Sequence, residues 1–485
     1  MGAFTLVPHA PDASFLLRKL GYDVPSPILT HYDWCGGKPF EAQRQTAAML
    51  TMNQRAYVLN GMGTGKTKAA LWWWDYLRSN NLADKLLVSA PLSTLEFVWA
   101  KEVFATVPHR RCVVLHGTRD RRLKLLADPD AEIFIVNHDG HKIIDEAVLA
   151  RGDIDALVID ELRAFSNAAS ARSKAMAKFA SKMKWVVGMT GSPIPGGPLD
   201  AYGQCRIVTP HTVPKYFSHF REQLCTRDGP YDWKPRDNAV EQVYKAMTPH
   251  VRYTLDDVVE LPECVERTMD VGMGAQQAHI YKELKTKCFA AVQSQQITAL
   301  NAGAVMMKLL QVACGWVYAK DGSIVALDNN ERMKALLDAI ESTDRKVLVF
   351  VPFKHALEGL CSALTKEKID YVPMSGDTPP NKRAEIFNLF QGTTKYKVMP
   401  AHPACMSHGV TLTAAATTIW FTPILSLNTY EQANHRMRRV GQRHKQLLLK
   451  LQGTPVEKKI YSMLDGHQRV QDKLLELFAD GTTRE

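Results

Sequence analysis

Nowhere does this sequence approach the roughly 18 uninterrupted apolar residues that a membrane-crossing helix requires. Even the cluster Leu71-Trp72-Trp73-Trp74 is cut at once by Asp75. The N-terminus Met1-Gly2-Ala3-Phe4-Thr5-Leu6 lacks a basic stretch leading into an apolar core, and Leu6 stands where an acylation signal wants Ser or Thr. These absences point to a soluble, cytoplasmic protein with no membrane partner. Close cysteine pairs are missing too. Cys35, Cys112, Cys205, Cys225, Cys264, Cys288, Cys314, Cys361 and Cys405 are widely scattered, which argues against zinc and dithiol redox motifs and leaves reduced, buried thiols. There is no short-period repeat, low-complexity tract or acidic tail.

What the chain does have is length and apolar material. With 485 residues, 46% of them hydrophobic, it exceeds a single core and implies two or more domains. The formal charge of +10 suits a polyanionic partner, since lysines and arginines gain affinity by releasing counterions condensed on phosphates. Short β-branched runs alternate with helical patterns, the signature of parallel sheets covered by helices. One series of strands is expected at residues 56–59, 85–89, 112–115, 133–137, 156–159 and 185–189. A second is expected at 346–351, 371–374, 397–399, 418–421 and 446–451. Between them, 276–311 is rich in Ala, Leu, Met and Lys and nearly free of Gly and Pro, so it reads as a helical insert. Residues 226–235, with Asp228-Gly229-Pro230, read as a surface loop. The three tryptophans Trp72 to Trp74 are expected to pack inside the protein rather than stack on bases.

Chemistry concentrates first at Asn60-Gly61-Met62-Gly63-Thr64-Gly65-Lys66-Thr67, between an expected strand and an expected helix. Glycines there let backbone N–H groups close around phosphate oxygens, and the helix N-terminus adds its dipole. Lys66 can reach the β- and γ-phosphates of ATP, while the Thr67 hydroxyl can bind Mg2+. The first position is Asn60 where the general pattern has Gly. About ninety residues on, Asp160 and Glu161 end an apolar run, where open α/β sheets bind ligands. In that setting Asp160 holds the metal and Glu161 orients or deprotonates the attacking water.

Taken with these motifs, further blocks resemble the Swi/Snf-type ATPases of helicase superfamily two, in their compact bacterial and phage branch, from about Lys38 to about Asp472. Pro39-Phe40 with Gln43 is similar to the adenine-reading segment. Leu87-Val88-Ser89-Ala90-Pro91-Leu92 with Trp99 and Glu102, and Ile135-Val136-Asn137-His138, resemble blocks near a tracked DNA strand. Met189-Thr190-Gly191-Ser192-Pro193-Ile194 resembles the motif coupling nucleotide to DNA. Arg252-Tyr253-Thr254 is similar to the stretch that leads into the second half, and His402 to Leu412 is similar to the fifth motif. Tyr430 to Gln442 is the most specific block; its arginines, three apart, are expected on one helical face.

The resemblance implies an α/β fold of two tandem RecA-like lobes with a helical insert: an extension at 1–37, lobe one at 38–250, linker and insert at 251–330 and lobe two at 331–485. It implies ATP held by Gln43 and by Gly61 through Thr67, and Mg2+ held by Thr67 and Asp160. Arg439 would be the arginine finger and Arg436 its companion. Ser89, Pro91, His138, Thr411 and Thr413 would lie near DNA, and Thr190, Ser192, Gly409 and Gln432 would couple the sites. The implied activity is DNA-dependent ATP hydrolysis driving translocation on double-stranded DNA through sequence-independent backbone contacts, in a bacterial cell or a phage-infected host, with a protein partner choosing the target. The alternatives are a strand-separating helicase and a nucleotide-gated DNA-binding scaffold. Three positions depart from the family pattern: Leu162-Arg163 follows the acidic pair where a small residue and His are usual, Ser407 replaces Gly, and Arg438 replaces a frequent His.

Overall fold

Apolar runs become parallel strands when helices cover both faces of a sheet, because then neither face can be polar. The computed structural model describes residues 6–194, 196–229, 232–293, 299–318, 324–406 and 411–466. Its first half contains β1 (Arg55–Val58), β2 (Lys85–Ala90), β3 (Cys112–Leu115), β4 (Ile133–Asn137), β5 (Ile154–Ile159), β6 (Trp185–Met189), a short pair β7 (Cys225–Arg227) and β8 (Trp233–Pro235), and β9 (His250–Val251). Seven of these form one sheet in the order β3-β4-β2-β5-β6-β1-β9, parallel throughout. Strand residues alternate between two apolar clusters: Tyr57, Leu87, Leu157, Ile159 and Val186 enter one, and Ala56, Val58, Leu86, Val88, Val158 and Val187 the other. That two-residue period is the pleat itself.

The helix Lys66–Ser79 carries the tryptophans, and all three are at most 1% exposed. Trp73 and Trp74 sit in the second of those clusters, and Trp72 Nε1 donates to the Cys35 carbonyl at 2.7 Å. Packing, not base stacking, is their place. Asp75 on the same helix is a buried hub: it accepts from Tyr32 Oη at 2.6 Å and Arg110 Nε at 2.6 Å, with His109 Nε2 at 3.0 Å, fastening the N-terminal segment to the sheet.

A second compact unit runs from Leu261 to Gly466. It holds β10 (Cys264–Asp270), the pair β11 (Trp316–Tyr318) and β12 (Ile324–Ala326), β13 (Lys346–Phe350), β14 (Val398–Ala401), β15 (Ala415–Trp420) and β16 (Gln446–Gln452). Its main sheet has the order β10-β16-β15-β13-β14, again parallel. Pro400 lies in β14 at the end of that order, where a missing N–H is tolerated. Under the sheet Arg332 Nη2 meets Glu457 Oε1 at 2.8 Å with 2% and 0% of their side chains exposed. Glu457 also accepts from Thr422, Gly453 and Thr454.

The strands fall where the apolar runs placed them, with three corrections. Residues 226–235 are not a plain loop: β7 and β8 pair antiparallel, and Arg221 lies over the Trp233 ring at 4.2 Å. Residues 371–374 are not a strand but touch β14 at two isolated bridges, Tyr371 with Val398 and Met374 with Ala401. The stretch 251–330 is shared out rather than being wholly linker and insert. Val251 ends a strand of the first sheet, β10 pairs along its whole length with β16, and the helices Ala275–Gln293 and Ala299–Cys314 supply the expected helical part. Alternation in β10 is masked because the strand is mostly exposed, so no apolar run announced it. Among the described residues no helix is long and apolar enough to cross a membrane.

Candidate nucleotide site

The loop 60–67 leaves the end of β1 and enters the helix Lys66–Ser79, so the backbone N–H groups of a helix start face the loop. Gly63 and Gly65 have φ of 82° and 79°, a left-handed conformation that a side chain disfavours. At Gly65 a Cβ would also sit 1.9 Å from Gln43 Nε2. Gln43 is buried, accepting from the Phe40 N–H at 2.9 Å and donating to the Thr64 carbonyl at 3.3 Å, so it ties the Pro39-Phe40 segment to the loop. Thr64 Oγ1 donates to the Gly61 carbonyl at 2.9 Å. Met62 and Thr67 are half-buried and Gly63 is exposed.

Asn60 explains its own departure from glycine. Its side chain is 2% exposed; Nδ2 donates to Thr46 Oγ1 at 2.8 Å and Oδ1 accepts from the Tyr253 N–H at 2.9 Å. The Gly61 N–H donates to the Tyr253 carbonyl at 2.8 Å. The segment after β9 thus closes against the phosphate loop, a contact between residues nearly two hundred apart that no local motif announces.

Lys66 Nζ donates to the carbonyls of Asn60 at 2.9 Å and Gly61 at 3.0 Å. Burial lowers its ammonium to about 8, against the opposing pull of the Glu161 and Asp160 charges, so lysine and carboxylates share one electrostatic environment. Asp160 follows β5, its N–H donating to the Ser89 carbonyl of β2 at 2.8 Å. Its Oδ2 accepts from Trp99 Nε1 at 3.0 Å and its Oδ1 from the Glu161 N–H at 3.0 Å. Burial, then the neighbouring Glu161 charge, raises the Asp160 carboxyl above its ordinary range. Glu161 adopts a left-handed backbone, φ 49° and ψ 51°, uncommon for a residue with a Cβ. The Asp160 carboxylate and the Thr67 hydroxyl both offer oxygen donors, the chemistry that suits a hard divalent ion.

Between the phosphate loop and the acids comes β6, which separates β1 from β5 in the sheet. At its end the Thr190 N–H donates to the Val58 carbonyl at 3.0 Å, and Thr190 Oγ1 accepts from the Ser192 N–H at 3.2 Å. A Cβ on Gly191 would lie 3.4 Å from the Asn60 carbonyl. Thr190 and Ser192 are therefore beside the phosphate loop. Ser89 and His138 are placed differently from a surface contact: Ser89 Oγ and His138 Nδ1 pair at 2.9 Å, with 0% and 7% of the residues exposed. Pro91 is half-buried and begins the turn that leads to Trp99.

In the second unit the helix Leu427–Asn434 ends before the arginines. Arg436 and Arg439 do not share a helical face; they lie in the turns that follow, held because the Leu412 N–H donates to the Arg436 carbonyl at 3.0 Å and Gln442 Nε2 donates to the Met437 carbonyl at 3.2 Å. Arg436 is buried, and Arg439 Nη1 donates to Thr411 Oγ1 at 3.4 Å. Thr413 Oγ1 accepts from Gln391 at 3.0 Å, and Gln432 is buried. Gly409 lies outside the described residues.

The pattern described as SNF2-related domain matches residues 47–314, more than half of the chain, and that described as helicase conserved C-terminal domain matches 331–443. The chain belongs to the SNF2-related family. As an SNF2-related protein it is an ATP-using enzyme of the helicase type, built on two parallel sheets flanked by helices. It is 27% identical to protein p41 of Acyrthosiphon pisum secondary endosymbiont phage 1, over 79% of this chain and 85% of that protein. It is 25% identical to an uncharacterised ATP-dependent helicase of Mycoplasma genitalium, over 79% of this chain. Against the SWI/SNF-related matrix-associated actin-dependent regulator of chromatin subfamily A-like protein 1 of Xenopus laevis, identity is 23% over 81% of this chain. It spans only 36% and 39% of those last two proteins. The Sulfolobus solfataricus SWI2/SNF2 ATPase core in complex with dsDNA aligns with 94% of this chain and 97% of its own, at 21% identity and a TM-score of 0.42.

Proposed function

We propose that this SNF2-related protein is a motor that hydrolyses ATP between its two lobes to translocate on double-stranded DNA, without needing to separate the strands. The observation that carries the reading is the row formed at the ends of β1, β6 and β5: phosphate loop, Thr190-Gly191-Ser192, acidic pair. A row of this kind lets one element feel both the nucleotide and the rest of the lobe.

Lys66 binds the β- and γ-phosphates, and Glu161 orients water for in-line attack, since phosphoryl transfer needs positioning and charge neutralisation above all. Thr67 and Asp160 would hold Mg2+, which when bound offsets charge on the phosphates. Arg436 and Arg439 are permanently charged forks that complete the site as the lobes close, and Thr190, Ser192, Gly409 and Gln432 pass that closure toward DNA. Pro91, Thr411 and Thr413 are proposed to lie along the DNA backbone, with Ser89 and His138 supporting that edge from inside. The charge of +10 supports a polyanionic track, and a protein partner would choose where the motor loads.

Steady-state ATP hydrolysis with no nucleic acid, single-stranded DNA, duplex DNA and duplex RNA, at one fixed salt concentration, tests the reading. Stimulation chiefly by duplex DNA, followed by displacement of a triplex-forming strand, is the expected result. Preference for single strands would favour a strand-separating helicase, and hydrolysis by no preparation would favour a nucleotide-gated scaffold.

A further inference from the structure

Arg163 has no part in the reaction described so far, yet it stands within the nucleotide site. Its Nη2 lies 3.1 Å from Glu161 Oε2, and only 7% of its side chain is exposed against 33% for Glu161. Its Nη1 is buried and meets no hydrogen-bond acceptor among the described residues. The arginine's charge also reaches Lys66, whose ammonium it helps to depress. Burying an unsatisfied guanidinium N–H costs stability, because its hydration is lost and nothing replaces it. A buried ion pair is weak evidence of a stabilising role, so this one calls for another reason.

The backbone supplies it. Glu161 is held in the left-handed region and leads directly into the short turn Leu162–Phe165 that carries Arg163. Leu162 is wholly buried and packs so closely on β6 that a Cβ at Gly188 would sit 2.5 Å from its side chain. Both ends of the ion pair therefore ride on one rigid turn. An ion pair from one guanidinium nitrogen to one carboxylate oxygen favours a single rotamer and leaves the other oxygen available.

We propose that Arg163 is a positioning residue for hydrolysis: it clamps Oε2 of Glu161, so that Oε1 alone is presented to the attacking water. This rests on the reading of Glu161 as the water-orienting group. It also gives the departure Leu162-Arg163 a task within the reaction, in place of the family's usual small residue and His.

The test is a double-mutant cycle on the full chain, read by single-turnover ATP hydrolysis with enzyme in excess, together with the affinity for a fluorescent ATP analogue. Arg163→Gln is expected to slow hydrolysis about tenfold to a hundredfold, the scale of a misplaced reacting group, while analogue affinity stays within about threefold because Lys66 keeps its charge and its hydrogen bonds to the loop. Arg163→Lys should recover part of the rate. In a Glu161→Gln background, Arg163→Gln should cost almost nothing more, since the group it positions is gone. Parental hydrolysis by Arg163→Gln, a full further loss in the Glu161→Gln background, or no recovery with lysine would each overturn the proposal. Parental hydrolysis by Glu161→Gln alone would instead sink the reading of Glu161, a result visible before Arg163 is changed.

Discussion

Asn60 and His138 show how far one side chain can act from its own motif. Asn60 anchors the phosphate loop to Thr46 and to the backbone of Tyr253 through two hydrogen bonds inside the protein. Restoring the glycine of the general pattern removes both, leaving a buried hydroxyl and a buried N–H to find other partners. Asn60→Gly is expected to destabilise residues 6–260 by about 1–3 kcal/mol, seen as a lower urea midpoint; unchanged stability would mean that the loop does not need this anchor. His138 is neutral in the folded protein. Burial, then the charges of His141 and Arg172, lowers its imidazole to about 3 from 6.5. Below pH 6.5 the unfolded chain takes up a proton that the folded one refuses, so its contribution is complete above 6.5 and is lost as pH falls toward 3. The expected loss is about 1 kcal/mol per pH unit. Urea midpoints of the parent at pH 7 and pH 5.5 should therefore diverge more than those of His138→Gln, and equal divergence would show that this histidine is not responsible.

Among the elements, the turn after the acidic pair depends on the helix Ala201–Val208. A Cβ at Gly203 would sit 2.1 Å from the Phe165 carbonyl and 2.5 Å from that of Ser166, and backbone cannot move aside as a side-chain tip can. Gly203→Ala should cost about 3 kcal/mol by overpacking and slow hydrolysis, because the displaced turn carries Arg163 beside Glu161. Gly392→Ala, at a helix end with nothing within 4 Å, should leave melting and turnover unchanged; similar effects of the two changes would refute the packing argument. Strands buried on both faces were legible because apolar runs are local: β3, β4 and β6 begin and end at the residues where their runs do. β10 was not legible, since an exposed edge strand obtains its order from pairing with β16 across about 180 residues. The hairpin β7–β8 was hidden for a related reason: Asp228-Gly229 signals a turn, but three-residue arms carry too little pattern to show that they pair.

Over the whole molecule, two compact units each enclose their own apolar core. The pair Arg332–Glu457 belongs to the second alone. Arg332→Ala strands the Glu457 charge in the interior and should destabilise residues 261–466 by about 3–5 kcal/mol. Hydrogen exchange should then accelerate in peptides from β13, β15 and β16 and stay unchanged in β1, β2 and β5; equal acceleration in both would show that the cores unfold together. Local order in the sequence was enough to place the glycine-rich loop between a strand and a helix, the acidic pair at a strand end, the class of fold and the family, because glycine placement, strand-end carboxylates and apolar period act within a few residues. Other features required the folded chain: Asn60 anchored to Tyr253, Trp99 on Asp160, the inward turn of Ser89 and His138, and the end of the helix before Arg436. Their determinants are contacts between distant segments, and a hydrogen bond closed across a sheet leaves no periodicity along the chain.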